Sequence, residues 1–151
     1  MKVLGNILWH FPFFGFITAL LNAILGGLLI LSVIGAPLGL GLLQLAKFQL
    51  TPFSKAMIND KELKRDRNKW WDAYGIIIQI LYFPFGLIIA LLNIIQIALL
   101  FISIIGIPIA IVLAKSLSTY FNPVNKKCVP EAVATELENK KAKAQVEQYI
   151  N

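Results

Sequence analysis

The sequence predicts an all-α, polytopic integral membrane protein. Two tandem helical-hairpin repeats, each broken at a Gly-x-Pro step, are followed by a cytoplasmic C-terminal helix. Three observations lead there: an apolar, charge-poor composition, a self-similarity at a shift of 71 positions, and basic residues gathered beside the apolar blocks. The 151 residues are 58% hydrophobic and 15% charged. A soluble domain is roughly a quarter charged, so this shell is too thin to cover the apolar residues in water. Between Val3 and Phe53 the only formal charge is Lys47, and between Ala73 and Asn125 it is Lys115. A globular cytosolic enzyme is therefore close to excluded, and the bilayer is the expected solvent.

The shift of 71 positions aligns the two apolar blocks without a gap. Phe14-Gly15 falls on Phe85-Gly86, and Ala19-Leu20-Leu21-Asn22 on Ala90-Leu91-Leu92-Asn93. Ser32-Val33-Ile34-Gly35-Ala36-Pro37 falls on Ser103-Ile104-Ile105-Gly106-Ile107-Pro108. The register continues to Pro52 over Pro123 and Lys55 over Lys126. Leu and Ile coincide easily in apolar text; the Asn, Ser, Gly and Pro matches carry the weight. Each block has about fifty residues and would run about 75 Å as helix, against a hydrocarbon core of about 30 Å. Two legs per copy fit, and Gly-x-Pro supplies the break, because proline lacks a donor and clashes with the preceding turn. The legs are expected at roughly 13–34 then 38–53, and roughly 83–105 then 109–122.

Taken in order, residues 1–55 form the first membrane copy, 56–74 a basic and aromatic cytoplasmic loop, 75–126 the second membrane copy, and 127–151 a polar helical tail. Met1-Lys2 precedes an apolar block far longer than a signal-peptide core, so the first segment is expected to stay in the mature protein. His10, beside Trp9 and Phe11, reads as an interfacial residue. In the loop, Trp70, Trp71 and Tyr74 suit an interfacial aromatic belt. With two legs per copy, Lys2, the loop and the tail share one face, as the positive-inside rule requires. The second legs are short and each carries a lysine, so a spanning, re-entrant or interface-lying leg all stay open. In the tail, Pro130 and Glu131 suit a helix first turn, and Ala132 to Ile150 is rich in helix formers. Cys128 is the only cysteine, which rules out an intrachain disulfide.

Ser103-Ile104-Ile105-Gly106-Ile107-Pro108, with Lys115 seven residues after the proline, resembles the second repeat of the YccF family. The first copy is similar independently: Pro37, then Lys47 ten residues on, then Phe48-Gln49-Leu50-Thr51-Pro52-Phe53. The resemblance spans most of residues 1–126. It implies a small bacterial inner-membrane protein built from two copies of one domain, and it implies no reaction. The chain departs from the family where a Trp pair often follows the glycine matching Gly86, here Leu87-Ile88, and where a histidine often stands, here Asn93.

Asn22 and Asn93 sit mid-span at matching positions, where an amide needs a partner; they read as interhelical glue or as lining of a polar path. Gly15, Ala19, Ala23 and Gly27, with Gly86, Ala90 and Ala98, form small-residue stripes that allow close helix packing. Ser32 and Ser103 can bond carbonyls freed at the breaks. The breaks themselves, at Gly35, Pro37, Gly106 and Pro108, are irregular backbone at membrane depth, the strongest pointer to a functional region. Lys47 and Lys115 read as snorkelling residues or as a cationic pore mouth. One histidine, one distant cysteine and no acid inside either apolar block provide neither a metal site nor a nucleophile pair. No cofactor, no metal, no nucleic-acid partner and no catalysis are expected. The expected partners are membrane lipids and further copies of the chain. The leading functional expectation is a homo-oligomeric pore for ions or small solutes with an anion bias. The alternative is a non-conducting adaptor or envelope-organising protein that recruits a partner through its cytoplasmic loop and tail.

Overall fold

In hydrocarbon each backbone N–H and C=O must find its partner within the protein, which makes helices the only open-chain solution for apolar legs of this kind. The structure, a computed structural model, describes residues 2–11, 13–63 and 68–150. In order it contains α1 (Lys2–His10), α2 (Gly15–Leu31), α3 (Ala36–Leu50), β1 (Lys55–Asn59), α4 (Lys69–Ile102), α5 (Ile107–Phe121), β2 (Lys126–Pro130) and α6 (Glu131–Ile150). Short 3-10 turns lie at Asp60–Leu63 and Ile104–Gly106. α2 packs on α3 and α4 on α5, so each apolar block is a hairpin of helices that turns at its Gly-x-Pro step.

The two turns differ in detail. At the first, Ser32 Oγ donates to Leu29 O at 2.7 Å and accepts from Gly35 N at 3.1 Å. Val33 there takes a left-handed φ of 61°, which a β-branched residue rarely adopts. The Tyr74 hydroxyl donates to the adjoining Ile34 carbonyl at 2.7 Å. At the second, Ser103 is extended and Gly106 N donates to Ser103 O at 2.9 Å. Pro37 and Pro108 occupy the first turns of α3 and α5, where the missing N–H costs no helical bond. A Cβ on Gly106 would stand 2.6 Å from Leu100 O, so the tight reversal requires glycine.

Among the described residues two helical stretches, Lys69–Ile102 and Ile104–Phe121, are long and apolar enough to cross a membrane, and α1 with α2 makes a third if the pair, bent by 76°, counts as one span. α3, with 15 residues, is about 22 Å long, short of a full crossing. The 34 residues of α4 run about 51 Å, so part of this helix extends beyond a hydrocarbon core of about 30 Å.

Two sequence expectations are corrected here. The chain is not all-α: β1 and β2 pair antiparallel, Lys55 facing Pro130 through Asn59 facing Lys126. A five-residue strand flanked by lysines shows too little alternation to be read, and its partner lies far along the chain rather than across a turn. The first leg of the second copy also begins at Lys69 instead of near residue 83. Asn68 caps it by accepting from Trp70 N at 3.0 Å, and the helix runs on through Pro84. Trp70, Trp71 and Tyr74 are therefore the first turns of α4 rather than loop.

The ribbon organises the polar end as layers, because alternate side chains of a strand face opposite ways. On one face Met57 and Cys128 pack with Trp9, Leu45, Phe48 and Val112. On the other, Ala56, Ile58 and Val129 pack with Leu63, Ala134 and Leu137. The ribbon thus lies between the membrane helices and α6. Burial concentrates in the second legs: residues 41, 45, 48 and 52 are buried, and so are 112, 116, 119 and 123, each 71 positions later. The first legs expose their apolar surface, Leu20, Leu21 and Leu28 on α2 and Leu91, Leu92 and Leu99 on α4. That surface is dressed for lipid.

Candidate functional site

Helix ends leave carbonyls without intrahelical partners, and the ends of α3 and α5 gather the polar groups of the molecule. Trp9 Nε1 donates to Gln49 O at 2.8 Å, and a His10 ring nitrogen lies 2.7 Å from Leu50 O. Lys55 Nζ donates to Lys47 O at 3.2 Å. On α5, the Tyr82 hydroxyl donates to Tyr120 O at 3.2 Å. A line of side chains crosses between the hairpins: Asn22 Nδ2 donates to Gln49 Oε1 at 2.9 Å, and Gln49 Nε2 donates to the Tyr120 hydroxyl at 3.1 Å. Gln49 is only 2% exposed, so these bonds meet the demand that a buried amide be satisfied.

Beside this line sits an ionic knot. Glu131, the first residue of α6, takes Lys2 at 2.8 Å and Lys115 at 3.1 Å. Lys115 Nζ also donates to Pro52 O at 3.2 Å, and Glu131 N donates to Ser54 O at 3.1 Å. One carboxylate thereby ties α1, α5 and α6 to the segment before β1. The ammonium of Lys2, and after it that of Lys115, holds the Glu131 carboxyl below the ordinary carboxylate range. Farther along α6, Lys141 pairs with Glu62 at 2.8 Å. The N–H of Cys128 donates to Gln44 Oε1 at 3.2 Å, so α3 satisfies part of the outer edge of β2. A cavity of about 260 Å³ opens between α3, the start of α4 and the start of β2, lined among others by Pro37, Gln44, Trp71 and Lys127. Burial lowers the Lys126 ammonium pKa at its rim, partly offset by the charge of Glu62.

Residues 4–55 match the family model of the YccF inner membrane component domain. This stretch is a YccF domain. It covers most of α1, all of α2 and α3, and the first residue of β1. No curated protein and no solved structure matches the chain.

Within the YccF domain, Asn22 bonds Thr18 O at 3.0 Å besides Gln49; its counterpart Asn93 bonds Ile89 O at 2.9 Å on its own helix. The two asparagines are not brought together. Ser32 works within its own turn, and Ser103 stands exposed at the other. Gly15, Ala19, Gly86 and Ala90 are buried and Ala23 half-buried, whereas Ala98 is exposed and a Cβ on Gly27 would meet open space. The close helix contact of the YccF domain uses Gly26 instead, whose Cβ would stand 2.8 Å from Gly39 O. The stripe is displaced by one residue because α3 meets α2 on the Gly26 side. Lys47 is exposed, and Lys115 is engaged in the knot rather than free at a mouth. Among the described residues no group of three or more His, Cys, Asp or Glu is placed to hold a metal ion. Gln44, Gln49 and Tyr120 were given no role from sequence, and Glu131 was read there only as a first-turn residue of the tail helix. Gln49 and Tyr120 carried a signal, being polar residues 71 positions apart inside apolar legs.

Proposed function

We propose that this inner-membrane protein is a non-conducting anchor of two copies of one module, which presents α6 on the cytoplasmic side to a protein partner. The observation that carries this reading is the mounting of α6. Its first two turns are fixed by Glu131, Ala134 and Leu137, while residues 138–150 are exposed throughout, bearing Glu138, Lys140, Lys141, Lys143 and Glu147. A 20-residue helix this polar has no reason of its own to stay ordered in water, which suits a surface for docking. The pore reading has less support in a single chain. Asn22 and Gln49 are occupied by each other, and Lys115 by Glu131, so a lumen would have to be assembled between copies.

The test combines two measurements on the full chain and on a chain ending after residue 138. Site-specific photocrosslinking from positions 142 and 145 of the full chain in cells is expected to trap one discrete partner, and that partner is expected to co-purify with the full chain but not with the shortened one. Flux through liposomes carrying the purified full chain is expected to equal that of empty vesicles. Flux above that level would overturn the anchor reading in favour of an oligomeric pore.

A further inference from the structure

We propose that the cleft between α2 and α3 is a binding site for a phospholipid with an anionic headgroup, its acyl chain in the cleft and its phosphate at Lys47 and Lys55. The cleft has a volume of about 480 Å³ and is walled by Phe16, Ala19, Leu20, Ala23, Leu43 and Ala46, with Lys47 and Leu50 toward one end. The two helices touch backbone to backbone at Gly26 and Gly39, near the turn, and nearer the ribbon Ala19, Ala23 and Ala46 supply no bulk to fill the recess. From Phe16 to Ala23 the opening runs about 10 Å at 1.5 Å rise per residue, enough for the upper part of a chain.

Charge identifies the occupant. The walls are apolar, and the polar group at the ribbon end is a cation. Lys47 is exposed, and its ammonium has no ion pair or hydrogen bond among the described residues. Lys55 reaches the Lys47 carbonyl at 3.2 Å, which sets a second ammonium nearby. An apolar slot ending in two cations complements a phosphodiester on a hydrocarbon tail. The corresponding positions of the second hairpin differ: Ser118 stands in place of Lys47, and Lys126 Nζ donates to its hydroxyl at 3.2 Å. That end carries one cation where the first carries two, so the site belongs to the first hairpin. Lys115, neutralised by Glu131, contributes nothing to it.

The test uses the full chain in nanodiscs of equimolar phosphatidylglycerol and phosphatidylcholine, followed by gentle detergent extraction and native mass spectrometry of retained lipid. Each lysine near a lipid phosphate is expected to favour the anionic lipid by about fivefold. The wild type is therefore expected to retain phosphatidylglycerol over phosphatidylcholine by at least that factor. The K47Q/K55Q double variant, whose changes lie on exposed and half-exposed side chains, is expected to bring the ratio near one while lipid is still retained. Ala23→Phe, which fills the cleft, is expected to remove the retained lipid. Equal retention of both lipids by the wild type, or an unchanged preference in K47Q/K55Q, would overturn the proposal. So would displacement of the lipid by soluble glycerol phosphate, because the acyl chain would then be dispensable.

Discussion

A single substitution tests the ribbon on which the layering rests. Met57 and Cys128 face each other across β1 and β2. Because the Cys128 N–H points outward to Gln44, the two form a non-hydrogen-bonded pair, whose Cα atoms stand about 4.5 Å apart. A disulfide spans Cα separations of about 4.4–6.8 Å, so M57C is expected to crosslink within the chain. Cys128 is the only native cysteine, which leaves one intrachain product. Closing a loop of about 70 residues removes about 4 kcal/mol of chain entropy from the unfolded state. At about 2–4 °C per kcal/mol for a chain of this size, the oxidised variant should melt about 8–16 °C higher, an upper bound because helices persist in micelles. Burial pushes the Cys128 thiol pKa up, against the charges of Lys55 and Lys47, so oxidation should speed up as pH rises and thiolate forms. The assay is a non-reducing gel with thiol counting by alkylation. A fast-migrating monomer without free thiol is expected for M57C, and none for Ala56→Cys, whose side chain lies on the α6 face. Disulfide-linked dimers from M57C, or two thiols still open to alkylation, would refute the register.

Three further outcomes follow from the packing and the ionic knot. Gly41→Ala places a methyl against the Pro123 carbonyl; overpacking of about 1–3 kcal/mol should lower Tm in detergent by about 2–12 °C, whereas Gly27→Ala, opening on free space, should gain up to about 1 kcal/mol in helix propensity. Equal melting of the two variants would contradict the contact between α3 and the segment before β2. Glu131→Gln should cost about 1 kcal/mol at neutral pH, since the pair is partly exposed. The folded-state pKa of Glu131 is depressed, so its contribution is present above the ordinary carboxyl value of about 4.3 and fades as pH falls through the lower folded value. The melting gap between wild type and E131Q should therefore close in strong acid, and a gap unchanged there would exclude the carboxylate as its source. Removing residues 139–151, and with them the partly exposed Lys141–Glu62 pair, should leave Tm within about 2 °C, since surface changes of this kind stay within about 0.5 kcal/mol; a larger drop would mean that the distal half of α6 is packed.

Much of this architecture was legible because it is written in residues that are rare in apolar text. The Ser and Gly-x-Pro steps located both hairpin turns to within a few residues, and Pro130-Glu131 located the start of α6. The ribbon was not legible, because its strands are short and pair across a long sequence separation. The start of α4 was missed because the 71-residue correspondence weakens upstream of Phe85: the equivalent stretch in the first copy is α1, set at 76° to α2, while in the second copy one continuous helix runs through Pro84. Charge alone could not assign Lys115. An isolated lysine in an apolar leg looks the same whether it reaches for headgroups or for a glutamate sixteen residues away, and only the fold brings Glu131 to it. The stripe at Gly27 failed for a similar reason, since helical spacing fixes a face only to within the width of one side chain.

The buried positions of the two second legs complement one another instead of repeating. Met57 and Cys128 are 71 positions apart and face each other, so the shift that aligns the hairpins also maps the ribbon onto itself, as a two-fold axis through that pair would. Near such an axis, identical side chains would meet their own copies. The buried positions of the second legs instead differ in size: Gly41 against Val112, Leu45 against Ser116, Phe48 against Thr119. Leu45 and Phe48 fill the cluster that Val112 enters, while Ser116 turns its hydroxyl back to Val112 O at 2.8 Å. Two phenylalanines and two leucines converging there would overfill the space, and two serine–threonine pairs would leave it empty, each at a cost of kilocalories. A tandem arrangement in one chain escapes that constraint, because each half can carry the residue the other lacks. Complementary rather than repeated volumes thereby fill the space between the second legs, while the outer cleft at Lys47 and the exposed length of α6 lie outside it.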